Sequence, residues 1–371
     1  MVSIVRIAFG LTILLLISCS KDLDDLTEVR YSGIIYIDEV IWIEKKEKLI
    51  IEAGTNITFG DNGSFQIKGE FEAIGTSTDQ IQLIGSENNS AHTIIFAYQD
   101  EAINFSMEHV QVENGLIVTE AKNNRFHDVN IKNSKQLSSD DAMIRSWRGS
   151  FSFTNGSISS NNTGEGLLVH DCNSPIVSNS IFDSIPDAVE FIRSIDGEVS
   201  NSIFNDIPDD AIDNNNCERT QILNNEFYRV SDRALEIGSD GYGISTDINV
   251  DNNLFVDCHI GINVKEASSA TVTSATFYNT RLNIELLIGD NGAPSSLSLN
   301  NSVMSGEHAW VAGEENSEFI YSELMSDQAI EGLSDVFLSN IEFSAPELSD
   351  FKIVSSNFPE GENAHTMGYQ K

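Results

Sequence analysis

The chain has 371 residues, with 57 acidic and 21 basic side chains and a formal net charge of −36. Such a charge repels phosphate backbones and anionic lipid headgroups, so it excludes nucleic acid as a partner. The hydrophobic fraction of 40% includes 20 phenylalanines, which is enough to fill a narrow core. Two interpretations of the charge stay open: a solvated acidic surface, or a surface that collects divalent cations.

Residues 1–18 have the features of a lipoprotein signal peptide. Arg6 gives the positive start, and residues 7–17 form an apolar stretch too short to span a bilayer. Leu16-Ile-Ser-Cys19 resembles the lipobox of bacterial lipoproteins, which implies that Cys19 is lipidated and becomes the new N-terminus. The alternative is an ordinary signal peptide with an incidental cysteine.

Residues 19–30 are predicted to form a short acidic tether. Directly after Cys19 come Ser20, Lys21, Asp22, Asp24 and Asp25. This run resembles the acidic export signal of Bacteroidetes-type lipoproteins. The resemblance implies a lipid anchor in the outer membrane and exposure at the cell surface.

From residue 31 to residue 90 the pattern alternates as in short β-strands, with glycines between them. Leu49-Ile-Ile-Glu-Ala-Gly-Thr-Asn-Ile-Thr-Phe59 and then Phe65-Gln-Ile-Lys-Gly69 resemble the opening coils of bacterial pectate-lyase-like β-helix surface proteins. Ala53 stands where those proteins usually have proline. The resemblance implies an all-β, single-stranded right-handed parallel β-helix over residues 31–371, with residues 31–90 as N-terminal coils and 340–371 as a terminal coil. That family contains lyases, hydrolases, epimerases and non-catalytic binders, so it implies the fold more than the activity.

An Asn-x-x-Phe phrase recurs in the middle of the chain and predicts a solenoid. Its phenylalanines follow one another after 22, 23, 28 and 22 residues; they are Phe182, Phe204, Phe227, Phe255 and Phe277. A period in the twenties with one strand-like block per repeat is typical of coils that bury their apolar face by stacking. Insertions at 135–140 and 238–246 are predicted to form loops on one flank.

The strands that follow each turn are predicted to carry a column of acids on the outside. If Val189, Ile212 and Leu235 point inward, period-two alternation turns their neighbours outward. The outward column is then Glu190, Asp213, Glu236, Asn263 and Glu285. By the same register Asn214 points inward, where we expect it to begin an asparagine stack.

Adjacent carboxylates at a strand spacing of ~4.8 Å repel one another, so we expect something in the column to reduce this repulsion. The options are a bound cation, interleaved Arg or Lys, or a raised pKa on the middle acid. Oxygen ligands suit Ca²⁺, for which Glu190, Asp213 and Glu236 are the candidate ligands. Arg193, Arg233, Lys265 and Arg281 lie in the same coils and offer the salt-bridged alternative.

Four further aspartates, Asp187, Asp209, Asp210 and Asp232, stand at the preceding turn. Their ordinary role is a side-chain hydrogen bond to the backbone two residues on, and we expect that role here.

Besides Cys19, the chain has three cysteines, Cys172, Cys217 and Cys258. An odd number cannot all pair, and they lie too far apart in the coil to form a disulfide, so we expect buried thiols.

Two classes of function remain open. In the first, which we favour from the sequence, an outer-membrane-anchored β-helix binds polysaccharide or mediates surface interaction through its acidic face. Tyr228, Tyr242 and Trp147 are the residues expected to stack on sugar rings. In the second, the chain is a lyase or glycoside hydrolase for acidic polysaccharide.

For the enzyme, Asp210 and Asp213 are the candidate acid and base of glycoside hydrolysis. Alternatively, Lys265 or Arg233 abstracts a proton from a uronate held by Ca²⁺. The Gly-His-Gly and Arg-Ile-Lys pattern of polygalacturonases and the Arg-x-Pro-x-x-Arg pattern of pectate lyases are both missing. No cofactor other than Ca²⁺ is indicated, and we expect a monomer.

Overall fold

The computed structural model describes residues 26–87, 93–98, 102–133, 142–159, 164–238, 241–288, 292–306, 311–313, 317–327, 329–330, 333, 336–338, 341–345 and 350–355. The chain divides into two compact units, residues 1–168 and residues 169–371. The predicted signal peptide, Cys19, most of the predicted tether and the insertion at 135–140 lie outside the described residues. Strand β1 begins at Thr27, so the first strand starts four residues before the predicted boundary.

The described part of the first unit consists of parallel strands without an α-helix. Its strands are β1 (Thr27–Tyr31), β2 (Ile34–Ile37), β3 (Val40–Ile43), β4 (Glu47–Ile51), β5 (Asn56–Phe59), β6 (Ser64–Ile67), β7 (Glu70–Ile74), β8 (Ile81–Ile84), β9 (Thr93–Ala97), β10 (Asn104–Glu113), β11 (Leu116–Thr119), β12 (Asn123–Lys132), β13 (Ala142–Trp147), β14 (Ser150–Thr154) and β15 (Ser157–Ser159), and β16 (Glu165–His170) crosses the boundary.

Successive coils of the first unit stack in register, as in β3, β6 and β9. Inward side chains such as Phe65 and Phe71 are fully buried, because alternation sends every second residue into the coil. The long strands β10 and β12 each bend at one residue with positive φ, His109 and Asp128. Each of them therefore pairs with two shorter strands of a neighbouring coil.

The second unit is also a stack of parallel coils, and its described residues contain no α-helix. Its strands are β17 (Ile176–Ser178), β18 (Ile181–Asp183), β19 (Val189–Ile192), β20 (Glu198–Ser200), β21 (Ile203–Asn205), β22 (Ile212–Asn215), β23 (Gln221–Leu223), β24 (Glu226–Tyr228), β25 (Arg233–Ile237), β26 (Ile248–Asp251), β27 (Leu254–Val256), β28 (Ile260–Val264), β29 (Ser269–Thr273), β30 (Thr276–Tyr278), β31 (Leu282–Leu286), β32 (Ser296–Ser305), β33 (Val311–Gly313), β34 (Glu318–Ser326), β35 (Phe337–Leu338), β36 (Glu342–Ala345) and β37 (Asp350–Ser355).

The repeated phenylalanines of the second unit form one continuous stack inside the coil. The five rings from Phe182 to Phe277 have successive centroid distances of 5.0, 4.9, 5.0 and 4.7 Å, with interplanar angles between 5° and 11°. The residue that opens each phrase has φ near +55°, as in Asn201 and Asn224. Asparagine tolerates this left-handed conformation better than most side chains, which explains its recurrence at the corner. The parallel β-solenoid predicted from the repeat is thus confirmed.

The asparagine stack forms at a different position from the one predicted. Asn214 is buried, but its register neighbours are Phe191 and Ile237, so no asparagine lies above or below it. The second asparagine of the phrase builds the ladder instead. Asn225 Nδ2 donates to Val199 O at 2.9 Å, and Asn225 Oδ1 accepts from the Ser202 N–H at 3.0 Å. Asn253 Oδ1 in turn accepts from the Asn225 N–H at 2.8 Å.

Three other features of the described chain bear on the sequence predictions. Cys172, Cys217 and Cys258 are buried free thiols, as expected. The C-terminal strands β36 and β37 pair antiparallel, so they differ from the terminal parallel coil that the sequence indicated. No membrane-spanning helix is found in the part of the chain that the structure describes.

Candidate functional site

The acid column, which we define as Glu190, Asp213, Glu236, Asn263 and Glu285, lies along successive strands of the second unit. Glu190 is the register partner of Asp213, and Asp213 is the partner of Glu236. Asn263 and Glu285 continue the same row on β28 and β31. The predicted register of these side chains is therefore correct.

The burial of the acid column differs from the prediction. The sequence indicated an outward row, but Glu190 is 8% exposed, Glu236 is 4% exposed and Asn263 is fully buried. Asp213 and Glu285 are half-buried. The alternating residues Val189 and Phe191 are also buried, so both faces of β19 are removed from water. Carboxylates in such a place need partners, because an isolated buried charge is strongly unfavourable.

The turn before each strand supplies a second row of carboxylates. Asp187 Oδ1 accepts a hydrogen bond from the Asp210 N–H at 3.3 Å, and Asp210 Oδ1 accepts one from the Arg233 N–H at 2.9 Å. These bonds reach the same position of the next coil and not the backbone two residues on, which corrects the prediction for these two side chains. Stacked turns bring the next N–H closer than the local one.

Arg233 is the main positive charge of the site. Its Nη1 lies 3.2 Å from Asp210 Oδ2, 3.1 Å from Asp232 Oδ2 and 2.8 Å from Glu236 Oε2. Lys265 Nζ lies 2.6 Å from the other oxygen of Glu236. Burial works against the charged guanidinium, but the carboxylates around it outweigh burial and raise the pKa of Arg233. Arg233 therefore stays protonated and cannot serve as the general base that the sequence suggested.

Asp213 lacks a positive partner among the described residues and lies between two other acids. Asn215 Nδ2 donates to Asp213 Oδ2 and to Glu190 Oε1, each at 2.8 Å. The second oxygen, Asp213 Oδ1, is buried without a hydrogen-bond partner within the described coils. Burial, followed by the charges of Glu236 and Glu190, raises the pKa of Asp213 well above its ordinary value.

The two turn carboxyls also hold their protons more tightly than usual. Burial raises the pKa of Asp187 to about 7, and the charge of Asp209 adds to the rise. Burial raises the pKa of Asp210 to about 8, with Glu236 adding to the rise and Arg233 opposing it. Two of the three expected ways to reduce the repulsion between adjacent carboxylates are thus present: interleaved cations at Glu236, and a raised pKa on the middle acid.

Carboxylate oxygens converge closely enough to hold a cation in two places. One oxygen each of Asp210, Asp213 and Glu236 lie within 4.8 Å of one another, and so do oxygens of Asp187, Asp209 and Asp210. The all-oxygen donor set suits Ca²⁺, and the unpartnered Asp213 Oδ1 is available to it. Arg233 already neutralises Asp210 and Glu236, so a cation would bind chiefly through Asp213.

An open groove of about 530 Å³ lies along the corresponding turns of the next three coils. Arg229, His259 and Arg281 line it. Arg281 Nη1 lies 3.0 Å from His259 Nε2, and His259 Nδ1 lies 3.8 Å from Asp232 Oδ1. No role for His259 is predicted from the sequence, because only the stacking of three coils joins it to Asp232 and Arg281.

The predicted sugar-stacking residues differ in burial and in their surroundings. Tyr228 was expected to be exposed, but it is 9% exposed, donates its hydroxyl to Glu226 Oε2 at 2.7 Å and packs with Leu254 and Val256. Tyr242 is 46% exposed. Trp147 belongs to the first unit, where the Arg145 guanidinium carbon lies 3.9 Å from its ring centroid.

Comparison with known proteins supports the fold. No protein-family model and no curated protein sequence matches the chain. Among solved structures, the PL6 family alginate lyase AlyGC is similar with a TM-score of 0.51 and 13% identity, over 90% of this chain and 56% of that one. This chain therefore spans little more than half the length of that lyase.

Two other similar structures have lower scores. The catalytic domain of a GH87 alpha-1,3-glucanase in complex with tetrasaccharides has a TM-score of 0.45 and 12% identity, over 86% of this chain and 68% of that one. The PL6 family polysaccharide lyase from Pseudopedobacter saltans has a TM-score of 0.42 and 10% identity, over 92% and 98%. The similarity to AlyGC, at 13% identity, is evidence for the parallel β-solenoid alone.

Proposed function

We propose that this chain cleaves polysaccharide, and that the turn carboxylates of the second unit form its active site. The observation that carries this proposal is the pairing of Asp187 with Asp209. One oxygen of each lies within 4.8 Å of the other, Asp187 has a pKa of about 7, and Asp209 is exposed. Clustered carboxyls with raised pKa values at an accessible edge are typical of acid–base catalysis.

In this proposal Asp187 is the general acid. It holds a proton near neutral pH and would give it to the glycosidic oxygen, while Asp209 attacks the anomeric carbon. A retaining mechanism needs carboxyl groups ~5–5.5 Å apart and an inverting one ~6.5–9.5 Å. Asp209 as the nucleophile makes the proposed mechanism a retaining one. The pair suggested by the sequence, Asp210 and Asp213, suits this role less well, because Asp210 is buried and ion-paired with Arg233 and the Oδ1 atom of Asp213 is buried.

The adjacent groove supports a substrate that carries negative charge. Arg229 and Arg281 line it, although the protein as a whole is strongly acidic. Arg229 is already paired with Asp206, so a uronate polymer would place a carboxylate against Arg281 and extend along the stacked turns toward Asp187 and Asp209.

β-Elimination is the second candidate reaction, and one observation favours it. Asp213 Oδ1 is buried and unpartnered among the described residues, beside Asp210 and Glu236. Ca²⁺ bound there would neutralise a uronate carboxylate and make its neighbouring proton acidic. Lys265, next to Glu236, would then be the base in this variant of the proposal.

The two reactions are separated by measuring two products. Alginate, pectin and chondroitin are each incubated with the protein, with and without Ca²⁺. Hydrolysis gives reducing ends without the absorbance of unsaturated uronate, and elimination gives both. Asp187→Asn is expected to abolish hydrolysis, and Asp196→Asn, which changes an exposed acid of the same unit, serves as control. If neither product forms on any of the polymers, the enzymatic function is rejected and the binding interpretation remains.

We also propose that Cys19 carries a lipid that anchors the protein in the outer membrane at the cell surface. The support is the sequence alone, since Cys19 lies outside the described residues. The full chain should partition into the detergent phase of a detergent–water separation, and Cys19→Ala should move it to the aqueous phase. Equal partitioning of both proteins would reject the anchor.

A further inference from the structure

The first unit carries a row of outward side chains unlike the rest of the acidic surface. Trp42, Gln66, Phe96, Val118 and Arg145 are successive register partners on β3, β6, β9, β11 and β13. We call this row the aromatic stripe. Alternation places their neighbours Phe65 and Ile117 in the coil interior, so the stripe is not part of the core.

Rings and cations meet along the aromatic stripe. The Trp42 and Tyr98 ring centroids are 5.7 Å apart at an interplanar angle of 24°, and those of Phe96 and Tyr98 are 4.6 Å apart. Lys68 Nζ lies 4.6 Å from the Trp42 ring centroid. At the far end, the Arg145 guanidinium stacks on Trp147. The arrangement combines flat apolar faces with positive charge.

Trp42 is the most accessible ring of the stripe, with 46% of its surface exposed. Gln66 Oε1 accepts the Tyr98 hydroxyl at 2.8 Å, which holds that ring beside Trp42. An ordered, exposed indole next to an oriented tyrosine offers a rigid surface with little conformational entropy to lose on binding. Such a surface fits the C–H face of a pyranose ring.

We infer that the aromatic stripe binds an acidic glycan chain. The rings would stack on the sugars, and Lys68 and Arg145 would pair with their carboxylates. The nearest acid to Lys68 in the described unit is Glu44 at 3.7 Å, an exposed contact that water weakens. Arg145 is half-buried, with its guanidinium against the Trp147 ring. Successive coils are ~4.8 Å apart, comparable to the advance of one sugar, so a polymer can follow the stripe.

This inference concerns a surface separate from the carboxylates proposed for cleavage and does not depend on them. Binding is therefore measured in the Asp187→Asn background, where cleavage is removed. Calcium-free alginate oligosaccharide is titrated by calorimetry, with a neutral β-glucan of equal length as comparison. Alginate is expected to bind and the neutral glucan to bind much more weakly.

The variants locate the surface. Trp42→Ala should weaken alginate binding about ten-fold, Trp42→Phe should retain part of it, and Lys68→Ala should weaken it and reduce its salt dependence. Tyr36→Ala and Lys46→Ala, exposed residues of the same unit outside the stripe, are the matched controls and should bind normally. Unchanged affinity of Trp42→Ala with an unchanged melting temperature would overturn the inference, as would equal binding of the neutral glucan.

Discussion

Replacing Asp187 by Asn should make the protein more stable, and more so as pH rises. The carboxyl has a pKa of about 7 in the folded chain because of burial and the nearby Asp209, against ~3.9 in an unfolded chain. Between these values the folded protein keeps a proton that the unfolded chain has released. Raising the pH through this window therefore destabilises the folded state of the wild type. An asparagine has no proton to lose, and its Oδ1 can still accept from the Asp210 N–H.

The size of the effect follows from the two pKa values. At 1.36 kcal/mol for each pH unit between them, the raised pKa of Asp187 lowers the free energy of unfolding of the wild type by about 4 kcal/mol at pH 9 and by about 1.5 kcal/mol at pH 5. The free energy of unfolding of Asp187→Asn relative to wild type should thus rise by about 2.5 kcal/mol between pH 5 and pH 9.

Urea unfolding at the two pH values measures this difference. Asp196→Asn is the control, because Arg219 lowers the pKa of that exposed acid and it titrates below the tested range. A relative stability of Asp187→Asn that is the same at pH 5 and pH 9 would refute the assignment of a protonated, buried carboxyl. In the proposed function the same variant loses hydrolysis, so stability and activity should change in opposite directions.

Three further predictions test the core, the charge balance and the cation. Phe227→Ala removes the middle ring of the stack and should lower the free energy of unfolding by about 3–5 kcal/mol in chemical unfolding. A smaller loss would mean that the coils repack around the gap. Arg233→Met leaves buried acids unpaired and should cost about 3–5 kcal/mol at pH 9, while Arg219→Met, an exposed guanidinium, should cost about 1 kcal/mol or less. Addition of Ca²⁺ should raise the melting temperature of wild type and not that of Asp213→Asn; a calorimetric titration without heat would contradict a cation at Asp213.

The sequence was sufficient for the coil and for the register of its side chains. Asn-x-x-Phe combines a residue suited to a left-handed corner with a large inward ring, and both are local properties that repeat. The row of Glu190, Asp213 and Glu236 followed from period-two alternation, since one register fixes every side chain of a strand.

Burial and pairing within the site could not be obtained in the same way. Whether Glu236 is accessible to water depends on what covers the outer face of its strand, and period-two alternation does not predict that cover. The partners of Arg233 come from a neighbouring coil as well as its own, so their separation along the chain carried no indication of them. The exposed stripe at Trp42 was missed because its members are single residues from five strands, although an aromatic at an outward position was a readable signal.

The phenylalanine stack makes the number of coils a variable that can change without interrupting the stack. Residues 204–226 span one register repeat, since Phe204 is the partner of Phe227. Their removal in a single event would join Ile203 to Phe227 and leave a shorter but intact stack. The same event would set Glu190 directly against Glu236 and delete Asp209, Asp210 and Asp213 together. Whole-repeat gain or loss could therefore create or erase the carboxylate cluster in one step while the scaffold is preserved.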